Sequence, residues 1–415
     1  MSGSVDEIQR RISERRARVY TASEFKAMVR DGRLPALEDV DVVTCGTMGV
    51  MSGTMAVLSI PVADPGTFKR ADSITINGVP GTVGPCPNES LGLVDCVVYG
   101  TARMDARYGG GHMFRDLVAG ETVTVEAGSG SRTFESRVTL EEVPFARMIL
   151  TRGAFRNYTG FTNGSDDPFT TIFSGPRPMA SGFLEASVSG CGEINPIQND
   201  PGLDYLRPGA SVLLNGAPGM VIGTGTRSTP GKPNLSVAAD MKGMSSEYMG
   251  GFVTSEGPEC ITSVATAIPV TDGRALEGVS VLDEEVELPL ADVRDRKPVH
   301  SDTYASVWGG TDLSVTADLS KCLNCTSCRA DEFCPCDASP SGGIDPVRCM
   351  SCGLCVRTCV GNVFSCDTGS LDFGGRPIPI AVRQSSRFKA ERLCSEVKAL
   401  VESGDWFLRC FDGRI

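Results

Sequence analysis

Residues 321–336 read "KCLNCTSCRADEFCPC", five cysteines in a short segment of a 415-residue chain. Cys322, Cys325 and Cys328 follow a C-x2-C-x2-C spacing, and Cys334 is followed at once by Pro335. The pattern recurs at 348–359, "RCMSCGLCVRTC", with Cys349, Cys352, Cys355 and Cys359. The lead-ins match as well: "DLSKC" and "DPVRC" both run acid, two residues, base, cysteine. This is an internal repeat of about one supersecondary unit.

Three thiolates at that spacing wrap one cubane, and the fourth ligand comes from further along the chain. In two-cluster ferredoxins the fourth cysteine of each run serves the other cluster. The expected sets are therefore Cys322, Cys325, Cys328 and Cys359 for one [4Fe–4S] centre, and Cys349, Cys352, Cys355 and Cys334 for the second. The first run has a longer spacing before its last cysteine than usual, and Val360 replaces the customary proline after the second. Either Cys336 or Cys366 could stand in for Cys334. Structural zinc, built from paired C-x2-C units, leaves the third cysteine of each triplet unexplained. A disulfide framework suits small secreted chains.

Outside the cysteine-rich stretch the chain has the composition of a soluble protein of two or three domains. Its start is charged and helical, unlike a signal peptide. No run approaches the roughly eighteen apolar residues of a membrane span. These features predict a cytoplasmic protein that engages no membrane. The net charge of −12 and the absence of a basic block exclude nucleic acid as an expected partner.

Between residues 40 and 285, short β-rich runs such as "ETVTVEA" and "ASVLLNG" alternate with glycine-rich turns. Amphipathic helices are expected near 5–31 and 386–402. The latter starts at Ser385/Ser386 and places Phe388, Leu393, Val397 and Leu400 on one face. The predicted class is α+β: a large β-rich domain over 1–300, a ferredoxin-like module over 313–371, and a strand–helix tail over 372–415 that packs back on the large domain. "DEEVELPLADVRDRKPVHSD" (283–302), charged and interrupted by proline, reads as the connection out of the large domain. "VIGTGTRS" lacks the third glycine of a dinucleotide fingerprint.

Candidate reactive groups lie in turns of the large domain. Cys45 closes the apolar run "VDVVTC" and precedes "GTMG", where backbone N–H groups of a turn would favour a thiolate. Cys86 in "GPCPNES" and Cys191 in "GCGEINP" are similarly set. Cys96 reads as a small buried hydrophobe. His112 ends "RYGGGH", where it could act as acid or base or be a hydrogen-bonded turn residue.

Several spaced stretches carry a resemblance: "VDVVTCGTMGVMSG" (40–53), "YGGGHMFRDLVAG" (108–120), "RNYTGFTN" (156–163), "GEINPIQNDP" (192–201) and "AADMKGMSSEYMGG" (238–251). Over roughly 5–285 the chain resembles the archaeal and bacterial homocysteine-biosynthesis family. With its cysteine repeat it is most similar to the methanogenesis marker protein 16 metalloproteins, which implies a methanogenic archaeon as source. The resemblance implies aspartate-semialdehyde sulfurtransferase chemistry, with a small carbonyl substrate, a sulfur donor such as a cysteine persulfide, and an electron donor protein. It also exposes a departure. The family's reactive cysteine falls at Ser52, and a second falls near "GSGSRTFE" (128–135), where this chain has no thiol. Two functions compete on these grounds: a reductive sulfur-transfer enzyme with built-in clusters, and a redox or sulfur-trafficking protein in methanogenic cofactor or metallocluster maturation.

Overall fold

The computed structural model describes residues 4–84, 89–154 and 158–409. Cys86 lies outside the described residues. The chain is α+β, with a 14-stranded sheet, a six-stranded sheet and a two-stranded ribbon among the described residues.

The strand Val42–Val50 organises the large sheet. It runs parallel to Val19–Thr21 and antiparallel to Gly257–Pro269, with Cys45 opposite Thr266. Its first eight residues are all buried, the pattern of a strand covered on both faces. Here the structure departs from the turn expected at "GTMG", because the strand continues through it. The glycines serve close packing instead. A Cβ on Gly46 would lie 2.9 Å from both the Ala390 carbonyl oxygen and the Cys394 sulfur, and one on Gly49 would lie 2.6 Å from Ser385 Oγ.

The element that needs this space is the helix Arg387–Ser403. Ser386 caps it by accepting the Lys389 N–H, and Gly404 ends it at φ +84°. Its buried face is Ala390, Leu393, Cys394, Val397 and Val401. Phe388 is exposed instead, since the buried stripe is offset from the expected one. At the other end of the chain, Ala22–Arg30 starts with a Thr21/Glu24 capping box.

The six-stranded sheet gathers distant segments. Gly160–Thr162, Ala186–Val188 and Arg376–Arg383 lie at its centre. The stretch 283–302 is not a linker but contributes the paired strands Glu287–Asp292 and Pro298–Thr303. Leu288 and Leu290 alternate into the core despite the charge around them, and Pro298 takes the first position of its strand, where its missing N–H is tolerated. Arg376–Arg383 runs parallel to Ala186–Val188, so residues after the cysteine-rich segment complete the six-stranded sheet, and Ser385 makes an isolated bridge to Gly49 of the large one. The cysteine-rich segment itself is tied by the ribbon Thr316–Ala317 with Phe364–Ser365 and has a small core of Ala330, Val363 and Phe364. No helix among the described residues is long and apolar enough to cross a membrane.

Candidate functional site

Two cavities divide the cysteine repeat. Cys322, Cys325, Cys328 and Cys359 line one of about 460 Å³. Cys334, Cys336, Cys349, Cys352 and Cys355 line the other, closed down to about 20 Å³. Cys366 lines neither and instead donates weakly to the Asp312 carbonyl at 3.9 Å. Among the described residues, no three His, Cys, Asp or Glu side chains gather as a single-ion site.

The repeat visible in sequence is also a repeat in backbone. Asn324 and Ser351, each two residues after the first cysteine of a triplet, both adopt left-handed φ, at 49° and 57°. Each turns its N–H onto that cysteine's sulfur, at 3.5 Å to Cys322 and 3.3 Å to Cys349. Ala338 N–H does the same for Cys334 at 3.3 Å. N–H···S bonds of this kind tune and orient cluster thiolates. Each cavity thus presents at least the four cysteine donors that one [4Fe–4S] centre takes.

The second site is pressed against the main body. Pro335 accepts a hydrogen bond from Val253 N–H at 2.7 Å. Arg107, from "RYGGGH", donates to the carbonyls of Glu332 (2.9 Å) and Cys334 (3.1 Å) and to Asp337 (2.5 Å). His112 is buried in the first turn of the helix Gly110–Val118. Its Nδ1 accepts the Gly109 N–H, and its Nε2 lies 3.8 Å from Asp337. Burial pushes its pKa down to about 4, with Asp337 acting the other way. The motif thus docks the cysteine-rich segment, and burial favours the neutral form of its histidine.

The thiols of the large domain are deeply placed. Cys45 sits mid-strand, and burial pushes its pKa up to about 12; Cys191, with its sulfur 3.7 Å from the Met48 carbonyl, is pushed to about 11. Neither lines the cavity described next. Beside Cys45 lies a group of charges that sequence reading missed. Arg387 pairs with Glu193 at 2.9 Å and with Asp283, and Arg30 reaches Glu193 at 2.5 Å. Lys26 is fully buried, donates to the Val279 carbonyl at 2.5 Å, and is pushed down to about 8 by that burial. The available signal was Lys26 itself, a cation on the apolar face of its helix.

A cavity of about 270 Å³ opens where Val42–Val50 ends. Ser52 and Gly53 form one wall, Ser189 and Gln384 another, and Phe161 and Phe173 an apolar side. Arg152 and Lys232 line it, whereas no carboxylate does among the described residues. Behind Ser52, burial pushes the Glu259 carboxyl up, with the Ser52 hydroxyl acting the other way. Glu259 Oε2 has no hydrogen-bond partner.

Over residues 17–408 the chain matches the family described as homocysteine biosynthesis enzyme, sulfur-incorporation. The chain belongs to that family. It is 46% identical over 409 residues to an uncharacterized protein of Methanothermobacter thermautotrophicus, covering 97% of this chain and 94% of the relative. An L-aspartate semialdehyde sulfurtransferase of Methanosarcina acetivorans is 27% identical over 325 residues, 74% of this chain and 63% of that protein. A protein of the same name from Methanocaldococcus jannaschii is 28% identical over 339 residues, 76% of this chain and 64% of that protein. No solved structure matches. Membership places the chain among sulfur-incorporation proteins.

Proposed function

We propose that this protein is a reductive sulfur-transfer enzyme whose substrate, aspartate semialdehyde or a related small anionic carbonyl compound, binds in the Ser52 cavity. The observation that carries the reading is adjacency. Arg383 donates its backbone N–H to the Cys352 carbonyl at 3.0 Å, and the next residue, Gln384, lines the cavity.

The reaction converts R–CHO, hydrogen sulfide, two electrons and two protons into R–CH2–SH and water. A carbon–sulfur bond forms and the carbonyl oxygen departs with the protons. Bound at the two cysteine sites, [4Fe–4S] centres would supply electrons one at a time; Cys322, Cys325, Cys328 and Cys359 would hold one, and Cys349, Cys352, Cys355 and Cys334 the other. In a chain of net charge −12, Arg152 and Lys232 attract and orient the anion. Glu259, with its acid form favoured by burial, suits proton delivery to the carbonyl oxygen through Ser52. Neither Cys45 nor Cys191 attacks the substrate in this reading, because both are buried and poorly ionised, and sulfur enters as sulfide.

A second reading, a protein that moves sulfur or electrons in methanogenic cofactor or metallocluster maturation, draws on the serine at position 52. An anaerobic assay with aspartate semialdehyde, sulfide and a low-potential reductant separates the two. Homocysteine formation that needs both sulfide and reductant supports the enzyme; its absence from protein carrying full iron supports the second reading.

A further inference from the structure

A buried cation, Lys389, lies beside the second cysteine site and forms no ion pair among the described residues. Lys389 is 2% exposed. Its ammonium donates to the carbonyls of Val347 at 2.6 Å and Glu247 at 3.0 Å. The Glu247 carboxylate is taken by Arg392. The cavity-lining sulfurs of Cys336 and Cys349 also face Lys389. Arg383, also buried, serves a different place: its guanidinium donates to the carbonyls of Asp312 and Val307, both at 2.6 Å, and to Thr311, and it faces Cys366, Asp367 and Asp312.

Among the described residues the first site has no buried cation; Arg329, which lines it, is exposed. Cys325 is exposed, and Leu323 and Val360 at its rim are 65% and 67% exposed. The nearby Lys321 is solvated and paired with Asp318, so its field is screened.

A buried ammonium without a counter-ion is costly, and a fixed anion beside it offsets that cost. A four-thiolate [4Fe–4S] centre is such an anion, and it gains one more negative charge on reduction. Burial alone disfavours that extra charge. A cation held nearby in low dielectric favours it, and net charge and burial are what set cluster potentials.

We propose that Lys389 is a redox-positioning residue whose buried ammonium favours the reduced form of the centre at the second site, so that electrons admitted at the exposed first site collect beside the Ser52 cavity. This rests on the two-cluster reading above. One electron leaves the first centre for each that the second gains, and a low-potential one-electron donor replaces it. No bond changes and no proton moves.

The test is an EPR-monitored redox titration of the full-length, anaerobically reconstituted protein with dithionite. A soluble gadolinium chelate broadens the signal of the exposed centre and so identifies each one. In the wild type the unbroadened centre should reduce first. Lys389→Met should shift that centre's midpoint downward and leave the other in place, and Lys389→Arg should restore it. The inference is overturned if the broadened centre reduces first in the wild type. It is overturned equally if Lys389→Met moves neither midpoint or moves both alike. Should the methionine variant lose the second centre, the wild-type order and the arginine variant still decide. A wild-type protein that binds no iron overturns the two-cluster reading along with this one.

Discussion

Arg383 and Cys352 are joined backbone to backbone, N–H to carbonyl, at 3.0 Å. That bond ties the loop bearing the second cysteine triplet to the last residue of a central strand of the six-stranded sheet. From Arg383 the chain passes to Gln384, whose side chain donates to the Ile172 carbonyl at 2.7 Å and lines the Ser52 cavity. Its carbonyl accepts the Val50 N–H at 2.9 Å. The cysteine-rich segment, the cavity and the strand Val42–Val50 of the large sheet therefore meet within two consecutive residues.

Gly46 should tolerate no side chain. A methyl group there meets backbone and sulfur at 2.9 Å, and overpacking of this kind costs about 1–3 kcal/mol. Gly46→Ala should lower the denaturation midpoint accordingly. An unchanged midpoint would mean that the Arg387–Ser403 helix does not lie as close to the strand as described.

Arg387 neutralises two buried carboxylates, Glu193 and Asp283. Removing one member of a buried ion-pair network typically costs about 3–5 kcal/mol. Arg387→Met should destabilise by that order in equilibrium urea unfolding. A loss under about 1 kcal/mol would show that Arg30 alone suffices for Glu193 and that Asp283 is protonated.

Lys26 makes a pH prediction. Burial lowers it from 10.5 to about 8, so between those values the folded chain binds fewer protons than the unfolded one. Its contribution to stability is then least favourable below pH 8 and improves as pH rises through the window. Relative to Lys26→Met, the wild type should gain up to ~3 kcal/mol between neutral pH and the lysine's unfolded pKa. Cys45, held at about 12, stays protonated through most of that range. A difference that stays flat or moves against the wild type would refute the placement of Lys26.

Thiol accessibility can be read directly. In native protein Cys45, Cys191, Cys260 and Cys394, all buried, should resist alkylation, while a Ser52→Cys variant should be labelled at 52. Mass spectrometry of labelled peptides checks both. Rapid labelling of Cys45 in folded protein would return it to the list of reactive groups.

What the sequence disclosed followed from how local each signal is. The cysteine repeat is legible because ligand spacing, the left-handed Asn324 and Ser351, and their N–H···S bonds all lie within a few residues. The same holds for the Ser386 cap. "GTMG" was not legible, because its glycines answer to Ala390, Cys394 and Ser385, hundreds of residues away. Charge and proline disguised 283–302, where Val286, Leu288 and Leu290 mark the buried face. The Arg387–Glu193–Asp283 group joins three separate parts of the chain, so no window contains it. The Ser52 cavity shows the opposite case. Resemblance pointed to position 52 through a thiol that this chain lacks, and the position proves to border a cavity.

In the proposed reaction, electrons stored in this chain reach a carbonyl compound held beside Ser52. The direct measurement is a single turnover: protein reduced anaerobically, freed of reductant, then mixed with aspartate semialdehyde and sulfide while EPR and thiol product are followed together. The expected result is loss of the reduced-cluster signal with one thiol formed for every two electrons lost. Iron-loaded protein whose signal persists unchanged while both substrates are present would contradict it.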